Sequence, residues 1–203
     1  EEFSRLVDEE WSHLRGGPNT LTEEALARVA AHFEDPTLEA PQETTPQRLP
    51  VDPRFRAWSK RNVSEHKHAD YAAVTISLKR EGVAPGDATA DEMDLIADLA
   101  DRFSFNEVRV THTQNLVLPY VARTQLYDLW TALEAANLAR PNIAMSSDII
   151  CCPGGDFCSL ANAKSIPLSA AVAEQLKPIE EDLGPLAIKI SGCINACAHH
   201  HVG

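Results

Sequence analysis

The chain contains no stretch of the roughly 18 apolar residues that a membrane span requires. Its opening residues, Glu1-Glu2-Phe3-Ser4-Arg5, lack the basic and apolar regions of a signal peptide. Basic residues are scarce: 18 Lys and Arg against 30 Asp and Glu give a formal net charge of −12 and a pI near 5.0. That balance argues against broad binding to a phosphate backbone, so no nucleic-acid partner is expected. The five cysteines are odd in number and Cys151 and Cys152 are adjacent, which argues against a secreted disulfide framework. Low-complexity segments and strong internal repeats are also missing. These absences point to a cytoplasmic protein in a reducing compartment. Apolar residues make up 44% of the chain, enough for a core without cross-links.

The chain reads as an α+β protein in three regions. Residues 1–53 hold two helices and a Pro-rich linker. The first helix carries Phe3, Leu6, Val7, Trp11 and Leu14 at helical spacing and stops at Gly16-Gly17-Pro18. The second is capped by Thr20 or Thr22 and carries Leu26, Val29, Ala30 and Phe33. Five prolines between Pro36 and Pro53 mark the linker. Residues 54–150 follow a β-α-β-β-α-β order: a strand over 71–79, a helix capped by Thr89, strands over 107–111 and 115–118, a helix over 124–137, and a closing strand over 143–150. That order is the split βαβ pattern of a ferredoxin-like domain. Residues 151–203 should hold two short helices, near 159–164 and 169–176. A strand over 186–190 then leads into Gly192-Cys193. The chain stops at Gly203, six residues after Cys197, with no capping composition, so it is expected to be part of a longer polypeptide.

Four cysteines fall into two pairs, Cys152-x5-Cys158 and Cys193-x3-Cys197, with 34 residues between the pairs. Four thiolates match the requirement of an iron–sulfur cubane. The flanking Pro153-Gly154-Gly155 and Ser191-Gly192 let backbone wrap closely and aim N–H groups at sulfur. A structural zinc site is the main alternative, although five residues between paired ligands is long for zinc. A redox-sensing disulfide needs no tetrad, and Cys151, at a strand end, reads as a small core residue.

Embedded in "CCPGGDFCSLANAKSIP" and "IKISGCINACAHHHVG", this pattern resembles the sulfite and nitrite reductase hemoprotein family. The segment "EVRVTHTQNLVLPYV" resembles that family's second ferredoxin-like repeat. The resemblance runs from about Arg54 onward and covers the leading helices loosely. It implies a [4Fe-4S] cluster on Cys152, Cys158, Cys193 and Cys197, with Cys197 as the thiolate bridging the cluster to siroheme. It also implies multi-electron reduction of sulfite to sulfide or of nitrite to ammonia. The family's anion-binding Arg and Lys come from a first half that this sequence lacks, so no catalytic residue is assigned and the chain alone is expected to be inactive.

Other residues carry weaker expectations. Arg109, Thr111, Gln114 and Asn115 lie around a turn and, under the resemblance, are candidates to contact siroheme carboxylates; ordinary turn chemistry is the alternative. Lys164 and Lys189 face either those carboxylates or solvent. His112 reads as packed or solvated. Asn195 reads as orienting the cluster loop, and His199, His200 and His201 as loop residues. Arg54, Arg56, Lys60, Arg61, His66, Lys67 and His68 form the one basic run, either a dock for an acidic donor (a ferredoxin or flavoprotein) or a solvated segment. A non-catalytic iron–sulfur or zinc module and an interaction domain with free cysteines are the competing readings.

Overall fold

The structure is a computed structural model that describes residues 1–38 and 52–202. Most of the Pro-rich stretch expected as a linker lies outside the described residues. The chain divides into two compact units, residues 1–38 and 39–203.

In the first unit, α1 (Glu2–Leu14) and α2 (Glu23–Ala31) are amphipathic helices. Thr22 rather than Thr20 caps α2, its hydroxyl accepting from the Ala25 N–H at 3.2 Å. The apolar stripe of α1, with Phe3, Trp11 and Leu14, is exposed.

In the second unit, α3 (Pro53–Asn62) starts on Asp52, whose carboxylate caps the Arg54 N–H. It leads into β1 (Val63–Glu65) and β2 (Tyr71–Ile76). Next come α4 (Ala90–Phe103), β3 (Arg109–Val110), β4 (Leu116–Ala122), a 3-10 turn and α5 (Leu126–Ala135). Thr89 and Glu92 close a reciprocal capping box at the start of α4. All neighbouring strands in the sheet are antiparallel, in the order β1-β2-β4-β3.

Helices α3, α4 and α5 supply Phe55, Trp58, Ile96, Leu99, Leu129, Trp130 and Leu133 to one core with Val74, Ile76 and Leu118 of the sheet. Burying each of these side chains contributes about 1.5–3 kcal/mol. Phe55 meets Trp130 edge-on with ring centroids 5.6 Å apart.

The α+β, ferredoxin-like class therefore holds, with one change in how its sheet is completed. The strand expected over 143–150 does not form; β1, which the periodicity did not reveal, takes the outer place beside β2. Residues 142–148 turn instead. Asp148 accepts from the Ala144 N–H at 3.0 Å, and Glu180 accepts from the Ser147 N–H at 2.7 Å and the Ser146 hydroxyl at 3.0 Å. The side chains thus take up the Ala144 and Ser147 N–H groups, while those of Met145 and Asp148 bond to Asn142 O and Met145 O within the turns.

Only Ile150 of that stretch is extended, opening β5 (Ile150–Cys151). The rest of the unit is α6 (Gly154–Phe157), α7 (Ser165–Leu176), a 3-10 turn, α8 (Glu180–Leu183) and β6 (Lys189–Ile190). Strands β5 and β6 pair in parallel, with Cys151 opposite Ile190.

Candidate metal centre

Parallel pairing of β5 and β6 decides where the cysteines go. Two parallel strands release their following loops at the same end. Cys152 comes one residue after β5 and Cys193 three residues after β6, so the two cysteine loops emerge side by side. The Cys152 N–H donates to Ile190 O at 3.0 Å and carries the ladder into the first loop.

The loops then interlock at Gly192. Its carbonyl accepts from the N–H groups of Asn162 and Ala163 at 2.9 and 3.1 Å. Its own N–H points at Cys152 Sγ at 3.1 Å. A Cβ at Gly192 would stand 2.7 Å from Ala163 O and 3.2 Å from Gly154 Cα, so only glycine permits this approach. Gly154 is equally constrained: its φ of +58° and a Cβ position 2.5 Å from Ser165 N both exclude a side chain.

Cys152 is the anchored thiol. It is buried with Ile150 and Ala198, and its sulfur lies 3.2 Å from Ser165 Oγ. Burial pushes this thiol up, but hydrogen bonds from Ser165 and the Gly192 and Gly154 backbone outweigh that effect and leave its pKa below the ordinary value. Cys158 and Cys193 are half-buried and Cys197 is exposed; all five cysteines are free. Among the described residues, no three or more His, Cys, Asp or Glu side chains gather closely enough to hold a metal ion together. Cys151 is buried, and burial raises its pKa, as a small core residue requires.

The turn after β3 does more than sequence reasoning assigned to it. Gln114 donates to Cys151 O at 2.7 Å and accepts from the Cys151 N–H at 2.9 Å. Asn115 is buried; its Oδ1 accepts from the Leu78 N–H at 3.1 Å and its Nδ2 donates to Asp148 at 2.9 Å. Arg109 stays exposed, bonded to Glu107 at 2.5 Å and to the Tyr120 hydroxyl at 2.9 Å. Thr111 bonds within the turn.

The periodicity also missed a buried ion pair, Lys79 to Asp148 at 3.0 Å, with Lys79 Nζ donating to Thr113 O at 2.6 Å. Burial lowers the Lys79 pKa, partly offset by Asp148. A lysine closing the apolar run of 71–79 was the signal available for it.

Of the remaining candidates, Lys164 pairs with Asp156 at 3.1 Å, and Lys189 donates to Val202 O. His200 and His201 are exposed, with ring centroids 4.1 Å apart and the rings tilted by 45°. The basic run is not one open patch. Arg54 pairs with Glu134 at 2.7 Å, and Arg61 with Glu181 at 3.2 Å.

Four free thiols on adjoining loops, with a backbone N–H directed at one sulfur, have the donor chemistry of an iron–sulfur cluster, although the described side chains are not gathered around one ion position. A cleft of about 590 Å3 lies beside Cys152, the one of the four that lines it, with Pro85, Val110, Gln114, Phe157 and Ile166 among its walls. Among the described residues, Asp87 is the one charged residue lining it. A siroheme, with its many carboxylates, finds no cation among those described walls, so the cleft by itself does not fit that group.

Residues 66–136 match the nitrite/sulfite reductase ferredoxin-like half domain. This part of the chain is similar to the nitrite/sulfite reductase family. The family match starts after β1 and ends before β5, so it covers β2, β3 and β4 of the sheet and not the cysteine loops. Among relatives, a ferredoxin–nitrite reductase of Synechococcus elongatus is 26% identical over 151 residues, covering 74% of this chain and 29% of that protein. A sulfite reductase [ferredoxin] of Mycobacterium tuberculosis is 28% identical over 138 residues, 64% of this chain and 25% of that protein. The solved structure of the Mycobacterium tuberculosis NirA protein superimposes with a TM-score of 0.54 at 27% identity, covering 68% of this chain and 25% of that one. The chain thus spans a fifth to three-tenths of the relatives it matches.

Proposed function

We propose that this chain is the cluster-bearing part of a sulfite reductase hemoprotein, with Cys152, Cys158, Cys193 and Cys197 as ligands of a [4Fe-4S] cluster. The observation that carries this reading is the interlock at Gly192. It sets two cysteine loops side by side and directs an N–H at Cys152 Sγ. Those four thiolates would hold the cluster, and the chemistry it would supply there is electron transfer. Cys152 is held in place, while Cys158, Cys193 and Cys197 are accessible to incoming metal. Cys197, the exposed thiol of the four, would be the ligand left accessible to a second redox group. Gln114 and Asn115 act by holding the turn against β5. The Arg109 guanidinium, on the surface and paired with Glu107, is the candidate to meet a siroheme carboxylate.

The remaining walls of a siroheme site, and the cations that bind the oxyanion, belong to parts of a complete reductase beyond the region matched here. The chain alone accordingly binds the cluster without turning over sulfite. Nitrite is the second reading, because both reductases occur among the relatives. Those relatives are named for ferredoxin, which makes a ferredoxin the electron donor to test first.

Iron and acid-labile sulfide in anaerobically purified protein test the assignment. About four of each per chain, with a broad visible absorption, support it. Colourless protein carrying one zinc per chain overturns it in favour of a zinc module. Reduction assays of the complete reductase with sulfite and with nitrite decide between the two oxyanions.

A further inference from the structure

Gln114 has an unusual place in the fold. Its backbone sits at φ +59°, a left-handed conformation that Asn or Gly adopts at lower cost than Gln. Its side chain reaches from the β3–β4 turn to β5. There the amide makes both hydrogen bonds that a neighbouring strand would make with Cys151: 2.7 Å to the carbonyl oxygen and 2.9 Å from the N–H. Strand β5 is two residues long and pairs with β6 on one side. Backbone groups of Cys151 left facing the turn would otherwise lose their partners near the protein interior.

The turn that carries Gln114 is itself fixed. Asn115 is buried, and Lys79 and Asp148 form a buried ion pair against it. The Gly86 Cα also lies close, since a Cβ there would stand 3.0 Å from Gln114 Cβ. The amide therefore acts from a rigid base rather than from a free loop.

We infer that Gln114 is a positioning residue: its amide stands in for a missing strand at Cys151 and so fixes the backbone that presents Cys152 to the metal. The metal part of this inference rests on the cluster reading proposed above. The positioning of β5 does not.

Two substitutions separate reach from chemistry. Gln114→Asn keeps the amide and suits the left-handed backbone, but is one methylene too short. Gln114→Leu keeps the bulk and removes both bonds. Amide hydrogen exchange on the whole chain reads the clamp directly. In both variants the Cys151 N–H exchanges about tenfold faster or more, while β4 amides keep their protection. Wild-type exchange at Cys151 in Gln114→Asn and Gln114→Leu overturns the clamp.

The second reading uses protein reconstituted anaerobically with ferrous iron and sulfide. Both variants retain less than half the iron of the parent chain, and the cluster that does form has a shifted midpoint potential. Full iron retention at an unchanged potential, with Cys151 exchange accelerated, overturns the positioning role and leaves the clamp as a fold contact only. A parent chain that takes up no iron refutes the cluster reading instead, and the exchange data still decide the clamp.

Discussion

Replacing Gly192 by alanine is the sharpest structural test of the interlocked loops. The added methyl would stand 2.7 Å from Ala163 O, 2.9 Å from Ser165 Oγ and 3.2 Å from Gly154 Cα. The serine hydroxyl can rotate away at the cost of its contact with Cys152 Sγ. The carbonyl cannot, because Ala163 O also accepts from the Gly155 N–H at 3.0 Å. Relief therefore requires the two loops to part. Overpacking of this kind costs about 1–3 kcal/mol. Parting also weakens the three bonds made by Gly192, each worth about 0.5–1.5 kcal/mol. A total of about 2–4 kcal/mol follows, or a fall in Tm of about 5–15 °C for a domain of this size. Gly155→Ala is the matched control: its Cβ would meet nothing closer than 3.6 Å, so it changes stability by less than about 0.5 kcal/mol. Thermal unfolding followed by circular dichroism, with exchange measured over residues 152–165, compares the two. If Gly192→Ala melts within about 2 °C of Gly155→Ala, the close approach at Gly192 is wrong.

Two further predictions concern the buried pair. Lys79→Met leaves the Asp148 carboxylate buried without its cation and lowers unfolding stability by about 3–5 kcal/mol in urea titrations, whereas combining Lys79→Met with Asp148→Asn recovers part of that loss. Burial also holds the Lys79 pKa below its ordinary 10.5, so the unfolded chain binds more protons between the folded pKa and 10.5. The stability of the parent chain relative to Lys79→Met should therefore rise with pH through that window and be flat below it; a falling difference would contradict the assigned direction.

How much was legible in the sequence depended on which signals were local. The Thr89 cap at the start of α4 and the strand beginning at Tyr71 depend on neighbours in the chain, and each appeared where the pattern placed it. Residues 143–150 have strand-like composition, yet Asp148 and Glu180 captured the Ala144 and Ser147 N–H groups; the Glu180 bonds reach across 33 or 34 positions, which no local pattern encodes. The cysteine spacing was plain from the sequence, but the parallel β5–β6 pair that brings the two motifs together joins residues about 40 apart. Gln114 was visible as a turn residue. That its amide would serve Cys151 could be seen only after the turn and β5 were placed in space.

The central claim is that four cysteines, and not the fifth, hold a cluster. Its most direct test is the iron and acid-labile sulfide content of anaerobically reconstituted protein across five single variants: Cys152→Ser, Cys158→Ser, Cys193→Ser, Cys197→Ser and Cys151→Ala. The account predicts that each serine variant loses most of its iron while Cys151→Ala keeps the parent's content. Equal iron in all five, or loss on changing Cys151 alone, would contradict it.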